Sequence, residues 1–397
     1  MENTLFSKRN AAIDMLRGLT MLLMVFVNDF WSVKGVPHFL EHFGTYEDGM
    51  GVSDVVFPMF LFAMGMSIPY ALERRFAKGY SGESTLGHIL SRTLALILMG
   101  VFIVNTEGGF DSTIGYSRGF YRVLMVVAFF LIWNVYPAGM RAKKWLQALG
   151  IMILAFLALT FRTPEGGYFS AGWWGILGLI GWAYCFCAIA YLLARKKPVS
   201  LAVVWAGLLM INMFQTGFRD GGSIIDGHTF IGDMAGSLML GNASSAIMAM
   251  GGVLLSLAER KLHERKGTTK IGLALAASVI LTVAAAVSHH WWIISKNIGT
   301  LPWCLYVSAL SITVYTLLRV LENYGKTGWF KPFSPAGTAT LTVYMIPYVL
   351  YSIGGFIGLH TPEWIEGGFG LLKCAAFSLL CVAITALLGK IGLKLKI

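Results

Sequence analysis

Two histidines, His38 and His42, lie four residues apart in a polar segment near the start of the chain. An imidazole titrates near neutral pH, so it can take a proton from an incoming nucleophile or attack an acyl group itself. By residue type alone either ring is an equally good candidate, although a loop histidine is usually just solvated. A metal pair at this spacing would need further ligands, which are not evident in the sequence, and we expect no metal.

Polar residues flank the first two apolar runs, where a membrane edge is expected. Asn28 and Asp29 end the first run, and Asp54 begins the second. Polar groups at such places are functional candidates by default. Asn28 either merely ends a helix or presents its amide to a reacting carbonyl. Asp54 either caps a helix or orients a nearby imidazole, and these two roles are compatible.

Basic residues at the expected cytoplasmic entry form a mouth suited to a polyphosphate such as that of coenzyme A. The positive-inside rule explains the same residues equally well, and Arg17 is also spaced to pair with Asp14 on one helix face. The mouth comprises Arg9, Arg17, Arg74 and Arg75. Other polar residues near expected helix ends are candidates for a ligand channel: Asn105, Arg122, Asn242, Lys296 and Asn297. Of these, we expect Asn105, Arg122, Lys296 and Asn297 to bind coenzyme A, together with Arg9 and Arg17.

Three expected outward loops, 32–53, 215–236 and 289–300, are longer than a simple turn requires, and long loops are usually functional or disordered. They mix aromatic with hydrogen-bonding side chains, a combination that suits a sugar with apolar faces and a polar rim. An aromatic belt at the membrane interface explains most single aromatic residues there. We expect Trp31 and its neighbour Asp29 to contact such a ligand.

The elements that position these residues are predicted to be membrane helices. Of 397 residues, 56% are hydrophobic and only 13% are charged, whereas a soluble domain carries about 25% charged residues. Runs of about 20 mostly apolar residues, enough to cross a hydrocarbon core of about 30 Å, recur along the whole chain. We predict an all-α integral membrane protein, a single polytopic domain over residues 1–397 with about twelve transmembrane helices (ten to twelve). The runs are 13–31, 54–73, 91–106, 118–136, 145–161, 172–194, 199–214, 237–258, 270–288, 301–321, 337–357 and 368–389.

The distribution of charge predicts the topology. The net charge is +11, but the basic residues occur in short clusters between apolar runs and not on one face, which argues against a nucleic-acid partner. Their alternation along the chain places both the N-terminus and the C-terminus in the cytoplasm. All five cysteines lie in apolar runs, so we interpret them as small buried hydrophobic residues and not as a disulfide framework or a zinc site.

The order of these motifs resembles the transmembrane heparan-α-glucosaminide N-acetyltransferase family and its bacterial relatives. The matching segments are D-x-x-R-G at Asp14 to Gly18, V-F-V-N ending at Asn28, a loop histidine, and D-V-V-F-P-x-F-x-F-x-x-G from Asp54 to Gly65. Weaker matches are Arg122, D-M-A-G from Asp233 to Gly236, S-K-N from Ser295 to Asn297, and P-A-G-T-A-T-L-T-V-Y from Pro335 to Tyr344.

The resemblance implies an acyltransferase that moves an acetyl group from cytosolic acetyl-CoA to the amino group of a glucosamine on the far side of the membrane. It implies His42 as the catalytic histidine, Asn28 as its paired asparagine, and a homodimer in the bacterial cytoplasmic membrane. Arg17 and Arg122 are implied contacts of coenzyme A, and Asp233, with the segment ending at Gly236, of the sugar. His42 would deprotonate the amine or carry the acetyl group, with Asn28 stabilising the oxyanion and Asp54 orienting the ring.

The chain departs from the family pattern in two places that bear on function. The family's acidic D-P-E-G segment is reduced to Asp233 followed by Ala235, so the acceptor contacts differ, and the helical pair at about 172–214 has no evident counterpart. Two alternatives stay open: an O-acetyltransferase of an envelope polysaccharide, and a secondary transporter of a small solute, which the helix count fits equally well.

Overall fold

The computed structural model describes residues 10–194, 197–219 and 240–397. Across these ranges the chain is 72% helical and has no strands, so the prediction of an all-α protein is confirmed. Three predicted site residues, Arg9, Asp233 and Gly236, lie outside the described residues, as does most of the predicted loop 215–236.

Twelve long helices make up the described part of the chain, and each overlaps one of the twelve predicted apolar runs. They are α1 (Ala11–Asn28), α2 (Ser53–Ala77), α3 (Gly82–Glu107), α4 (Arg118–Trp133), α5 (Lys143–Thr160), α6 (Ile176–Ala194), α7 (Pro198–Gln215), α8 (Ser244–Lys261), α9 (Gly267–Ser288), α10 (Leu301–Asn323), α12 (Thr340–Phe356) and α13 (Gly367–Lys390); a short helix, α11 (Ser334–Thr338), precedes α12. The largest difference is at α3, which begins well before the predicted start at residue 91. Its first turns are polar, and hydropathy detects only the apolar remainder of a helix.

Nine helices of the described residues are long and apolar enough to cross a membrane, or ten if α12 and the segment Gly328–Thr338, which meet at 75°, form one bent span. The helix α4, at 16 residues, is short for a span, and α8 ends in Glu259, Arg260 and Lys261. A polytopic helical membrane protein is therefore confirmed in outline. The number twelve and the cytoplasmic position of both termini stay predictions.

The chain is divided into two compact units. The first comprises Met1–Thr20, Pro37–Thr93 and Trp182–Pro332, as far as these segments are described, and the second comprises Met21–Val36, Leu94–Gly181 and Phe333–Ile397. The prediction of a single domain over 1–397 stays a prediction. All five cysteines are free thiols, as predicted, and four of them are buried.

Close packing of α2 against α8 forms the centre of the first unit. A Cβ atom at Gly252 of α8 would lie 2.0 Å from the carbonyl oxygen of Phe62 in α2, so no larger residue fits there without moving a backbone. One turn further along, the Ser256 hydroxyl donates to the carbonyl oxygen of Met66 at 2.9 Å. These contacts hold α2 in place, and its first turn carries Asp54.

Candidate active site

His42 and Asp54 form a hydrogen-bonded pair in the first unit. His42 follows a short 3₁₀ turn, His38–Leu40, and Asp54 lies in the first turn of α2. Nδ1 of the imidazole is 2.7 Å from Oδ1 of the carboxylate. An ionised carboxylate can only accept, so the ring donates from Nδ1 and carries its lone pair on Nε2. The His42 side chain is 48% exposed, and Nε2 has no hydrogen-bond partner among the described residues.

The Asp54 side chain is only 2% exposed and makes hydrogen bonds through both oxygens. Oδ2 accepts from the backbone N–H of Phe43 at 3.1 Å and of Gly51 at 3.0 Å, and the backbone oxygen accepts from the Trp303 indole at 3.2 Å. The N-cap position of α2 is Val52, so the expectation that Asp54 caps the helix is wrong. Asp54 instead ties the loop to the helix and orients the imidazole.

A tight turn at Gly51 makes the approach of His42 to Asp54 possible. A Cβ atom at Gly51 would lie 2.0 Å from the backbone oxygen of Glu41, the residue before His42. The Ser53 hydroxyl donates to the carbonyl oxygen of Leu40 at 2.6 Å on the same side. The absence of a side chain at Gly51 therefore lets the two ends of the loop close on each other.

Lys296 is the third ionisable side chain at this position. Its Nζ lies 3.1 Å from His42 Nδ1 and 3.9 Å from Asp54 Oδ1, and its side chain is 25% exposed. Burial lowers the pKa of the Lys296 ammonium, and the negative charge of Asp54 partly opposes this effect. The sequence suggested Lys296 as a coenzyme A ligand. The structure places it against the His42–Asp54 pair.

Lys296 belongs to a loop, residues 289–300, that we call the lysine loop, and it lies against residues 37–52, which we call the histidine loop. The Ser295 hydroxyl donates to the backbone oxygen of Thr45 at 2.8 Å. The Asn297 amide donates to the backbone oxygen of Phe43 at 3.3 Å. The residues on either side of Lys296 are thus both bonded to the histidine loop, which holds the ammonium beside His42.

Asp48 forms a second connection between the two loops. Its carboxylate pairs with Arg219 at 2.6 Å and with His289 Nε2 at 2.8 Å, and it accepts from the backbone N–H of Ile294 at 2.8 Å. Burial alone raises the pKa of the Asp48 carboxyl, but the Ile294 hydrogen bond and the contacts with His289 and Arg219 lower it, and the net shift is downward. Asp48 is therefore favoured as an anion.

His38, the other candidate histidine, has a different environment. Its Nε2 lies 2.6 Å from the exposed carboxylate of Glu47, and its ring stacks on Phe43 with the centroids 4.3 Å apart. The Gly44 N–H and His38 lower the pKa of Glu47. Both groups of this pair are solvent-exposed, in contrast to the buried carboxylate that holds His42.

The candidates at the end of α1 belong to the second unit. Asn28 is the last residue of α1 and is exposed. Asp29 is fully buried, pairs with Lys373 Nζ at 2.8 Å and accepts from the Tyr351 hydroxyl at 2.7 Å. A sugar could contact this carboxylate only by displacing a protein partner. Trp31 is 72% exposed, and its ring meets that of Tyr351 edge to face.

Asn105 and Arg122 also lie in the second unit, where both contact backbone oxygens. Asn105 donates to the carbonyl oxygens of Val101 and Ser170, each at 2.8 Å, and accepts from the Ser170 N–H. Its amide is thus used to hold the chain that follows α5. Arg122 donates to the carbonyl oxygen of Thr106 at 3.0 Å, and its Nε is buried with no partner among the described residues.

Two further sequence predictions concern the basic mouth and metal binding. Arg17 forms the expected ion pair with Asp14 on one face of α1. Across the parts of the chain that are described, no three His, Cys, Asp or Glu side chains are grouped as a metal site would require.

Lys373 is a functional candidate that the sequence reasoning missed. It is a lysine within the apolar helix α13, and it forms the ion pair with the buried Asp29. The sequence contained a signal for Lys373, because an ionisable group inside an apolar span costs free energy and is a functional candidate by default.

Comparisons with known proteins give one family and two named relatives. A family model described as "Domain of unknown function (DUF5009)" matches residues 9–226, more than half of the chain. A Mus musculus protein, heparan-alpha-glucosaminide N-acetyltransferase, is 28% identical over 383 residues, which cover 85% of this chain and 53% of the mouse protein. The Homo sapiens protein of the same name is 36% identical over 101 residues, 24% of this chain and 14% of the human protein. The chain spans about half the length of the mouse relative. The predicted resemblance is confirmed.

Proposed function

The chain belongs to the DUF5009 family, and on that premise we propose that it is a transmembrane acyltransferase that moves an acetyl group from acetyl-CoA to the amino group of a glucosamine-type sugar. The relationship to proteins named as N-acetyltransferases supports the reaction class. The observation that carries the proposal is the pair formed by His42 and the buried Asp54, because it leaves an accessible lone pair on the ring.

In the direct route, His42 Nε2 accepts a proton from the acceptor amine while the amine nitrogen attacks the thioester carbonyl carbon. The C–S bond then breaks, coenzyme A leaves as a thiolate, and the thiolate takes the proton from the imidazolium. In the alternative route Nε2 attacks the thioester carbonyl carbon, the C–S bond breaks and coenzyme A leaves as a thiolate. The amine then attacks the acetyl group on Nε2, the N–C bond to the ring breaks, and the proton of the amine goes to the thiolate. Both routes need the proton on Nδ1 and a lone pair on Nε2, which is the tautomer that Asp54 favours.

We assign the remaining predicted residues to binding within this proposal. Asn28, exposed at the end of α1, stabilises the oxyanion by donating from its amide. The basic residues Arg9, Arg17 and Arg122, with Asn105 and Asn297, serve the donor, and Trp31, Asp29 and the segment from Asp233 to Gly236 serve the sugar. The sequence also suggested Lys296 for the donor, but its amine lies beside His42. Trp31 offers the largest exposed aromatic face among these residues, which suits the apolar face of a sugar ring.

The two substrates are proposed to arrive from opposite sides of the bacterial cytoplasmic membrane. Coenzyme A carries phosphate charges that cannot enter a hydrocarbon core of about 30 Å, so only its slender acyl arm crosses. The protein is proposed to act as a homodimer, without a metal.

The test uses the purified full chain in detergent with acetyl-CoA and glucosamine, and mass spectrometry identifies the product. We expect His42→Ala to lower turnover by about 100-fold or more. His38→Ala is the matched control, because it removes an exposed histidine of the same loop and should retain turnover. An inactive His38→Ala beside an active His42→Ala would overturn the assignment, and an ester product in place of an amide would make the acceptor a hydroxyl.

A further inference from the structure

Two charged groups converge on one atom of the catalytic candidate. His42 Nδ1 faces the Asp54 carboxylate at 2.7 Å and the Lys296 amine at 3.1 Å, and these two partners are 3.9 Å from each other. A carboxylate and an ammonium therefore act on the same ring nitrogen. The inference below rests on the proposed function for its role in the reaction.

The position of Lys296 is imposed by its neighbours in the chain. Ser295 and Asn297 bond to the backbone oxygens of Thr45 and Phe43, on both sides of the residue that pairs with Asp54. In addition, the Gly49 N–H donates to the Ile294 backbone oxygen at 2.9 Å. An ammonium on a long side chain is normally free to reach solvent. This one is only 25% exposed and stays beside the ring.

The position of the Nδ1 proton determines how the Lys296 ammonium interacts with the ring. The carboxylate can only accept, so the Nδ1 proton points to Asp54, and the ammonium, which can only donate, has no acceptor on the ring. The ammonium therefore contributes charge and no hydrogen bond to His42. A neutral ring tolerates this neighbour, but an imidazolium would place two positive charges about 3 to 4 Å apart, which is unfavourable in a partly buried site.

We propose that Lys296 is a positioning residue that acts through His42: its ammonium offsets the Asp54 carboxylate and keeps the imidazole neutral and ready to accept a proton at Nε2. Asp54 alone would orient the ring but also stabilise the imidazolium strongly. With Lys296 present, the ring keeps its orientation, and the imidazolium loses the excess stabilisation that Asp54 alone would give it.

The same arrangement returns the proton after the chemical step. Once His42 has taken a proton from the amine, the repulsion from Lys296 favours its transfer to the coenzyme A thiolate that leaves when the C–S bond breaks. The products are the amide and the free thiol, and His42 and Lys296 end in their initial protonation states.

The other charged groups near the ring are already paired with one another. His38 bonds to Glu47 within the histidine loop, and Asp48 pairs with His289 and Arg219 from the elements packed against it. Over the residues that the structure describes, Asp54 and Lys296 are the ionisable side chains in contact with His42.

The test measures the protonation of His42 without requiring any activity. Diethyl pyrocarbonate modifies neutral imidazole, so the rate of modification at His42, read by peptide mass spectrometry across a pH series, reports the neutral ring. We expect Lys296→Met to move the midpoint of modification upward by about 1 pH unit or more. Lys296→Arg keeps the charge and should leave the midpoint near that of the wild type. His38, in the same loop, is the internal reference and should not move in either variant.

A midpoint at His42 that is the same in Lys296→Met and the wild type overturns the inference, whether or not the chain acetylates a sugar. Kinetics supply the second arm: the acid limb of the kcat/KM profile should move upward with the modification midpoint in Lys296→Met. A raised KM for acetyl-CoA with an unmoved acid limb would make Lys296 a donor ligand and would also overturn the inference. A midpoint that moves in a chain with no transferase activity would refute the proposed function and leave the charge balance at His42 standing.

Discussion

Replacing Asp54 with asparagine tests the orientation of His42 while keeping the shape of the side chain. The carboxylate uses Oδ2 for the N–H groups of Phe43 and Gly51, and Oδ1 for His42. An amide must place its oxygen at one of these positions and its NH₂ at the other. Because two buried N–H donors would lose their acceptor, at about 1–3 kcal/mol each, the oxygen takes the place of Oδ2 and the NH₂ faces the ring.

The ring responds by changing its tautomer. His42 Nδ1 then accepts from the amide, the proton moves to Nε2, and the lone pair needed for proton abstraction is lost. Recovering the active tautomer requires the amide to rotate against the two backbone donors, at a total of about 2 kcal/mol or more, which corresponds to at least a roughly 30-fold loss of turnover. Both backbone hydrogen bonds persist, so the melting temperature should fall only slightly.

The assay compares acetylated glucosamine formed by Asp54→Asn and by the wild type, with thermal melting in the same detergent. Glu47→Gln is the matched control, because it makes the same change in the exposed carboxylate that pairs with His38. We expect this control to stay within about twofold of the wild type, as surface substitutions usually do. Turnover by Asp54→Asn near the wild-type level would refute the role of Asp54 in orienting the ring.

Three further changes probe the surroundings of the site and the second unit. Gly51→Ala should lower both activity and melting temperature, because its Cβ would lie 2.0 Å from the Glu41 backbone oxygen. Gly44→Ala is the control, since its Cβ meets ordinary contacts at 3.6 Å and should be tolerated. Equal melting curves for the two variants would contradict this prediction. Asp48 has a lowered pKa, so its contribution to stability is present above the ordinary carboxyl pKa of about 4 and is lost as the pH falls below that value. Asp48→Asn should therefore be less stable than the wild type at neutral pH, and its melting temperature should fall less on acidification. Lys373→Met leaves the fully buried Asp29 without its cation and should destabilise the protein by about 3–5 kcal/mol, and adding Asp29→Asn should restore much of that stability; a melting curve for Lys373→Met that matches the wild type would count against the ion pair.

The helices were predictable because an apolar run long enough to cross a bilayer is typical of a transmembrane helix. Each predicted run overlaps a helix, from 13–31 at α1 to 368–389 at α13. Hydropathy could not predict polar helix ends, and α3 begins at Gly82 because its first turns follow helical geometry without being apolar. The bend of 75° before α12 likewise has no signal in an apolar count.

The candidate site was predictable where it is local in sequence. His42 and Asp54 are separated by a short loop that must return to the start of α2, so their contact follows from nearby residues. Lys296 lies in a different loop, far along the chain, and its contact with His42 depends on how α9 and α10 present that loop. A sequence can mark Lys296 as a polar residue near a helix end, but tertiary packing decides which side chains it contacts.

Two of the hydrogen bonds that join the lysine loop to the histidine loop, from Asn297 and Ser295, end on main-chain oxygens of Phe43 and Thr45. Every residue type supplies such an oxygen, so these two bonds do not require a particular side chain at either position. Substitutions at these positions should therefore leave Lys296 beside the imidazole. The two positions are therefore open to randomisation in a library that preserves the arrangement of His42, Asp54 and Lys296.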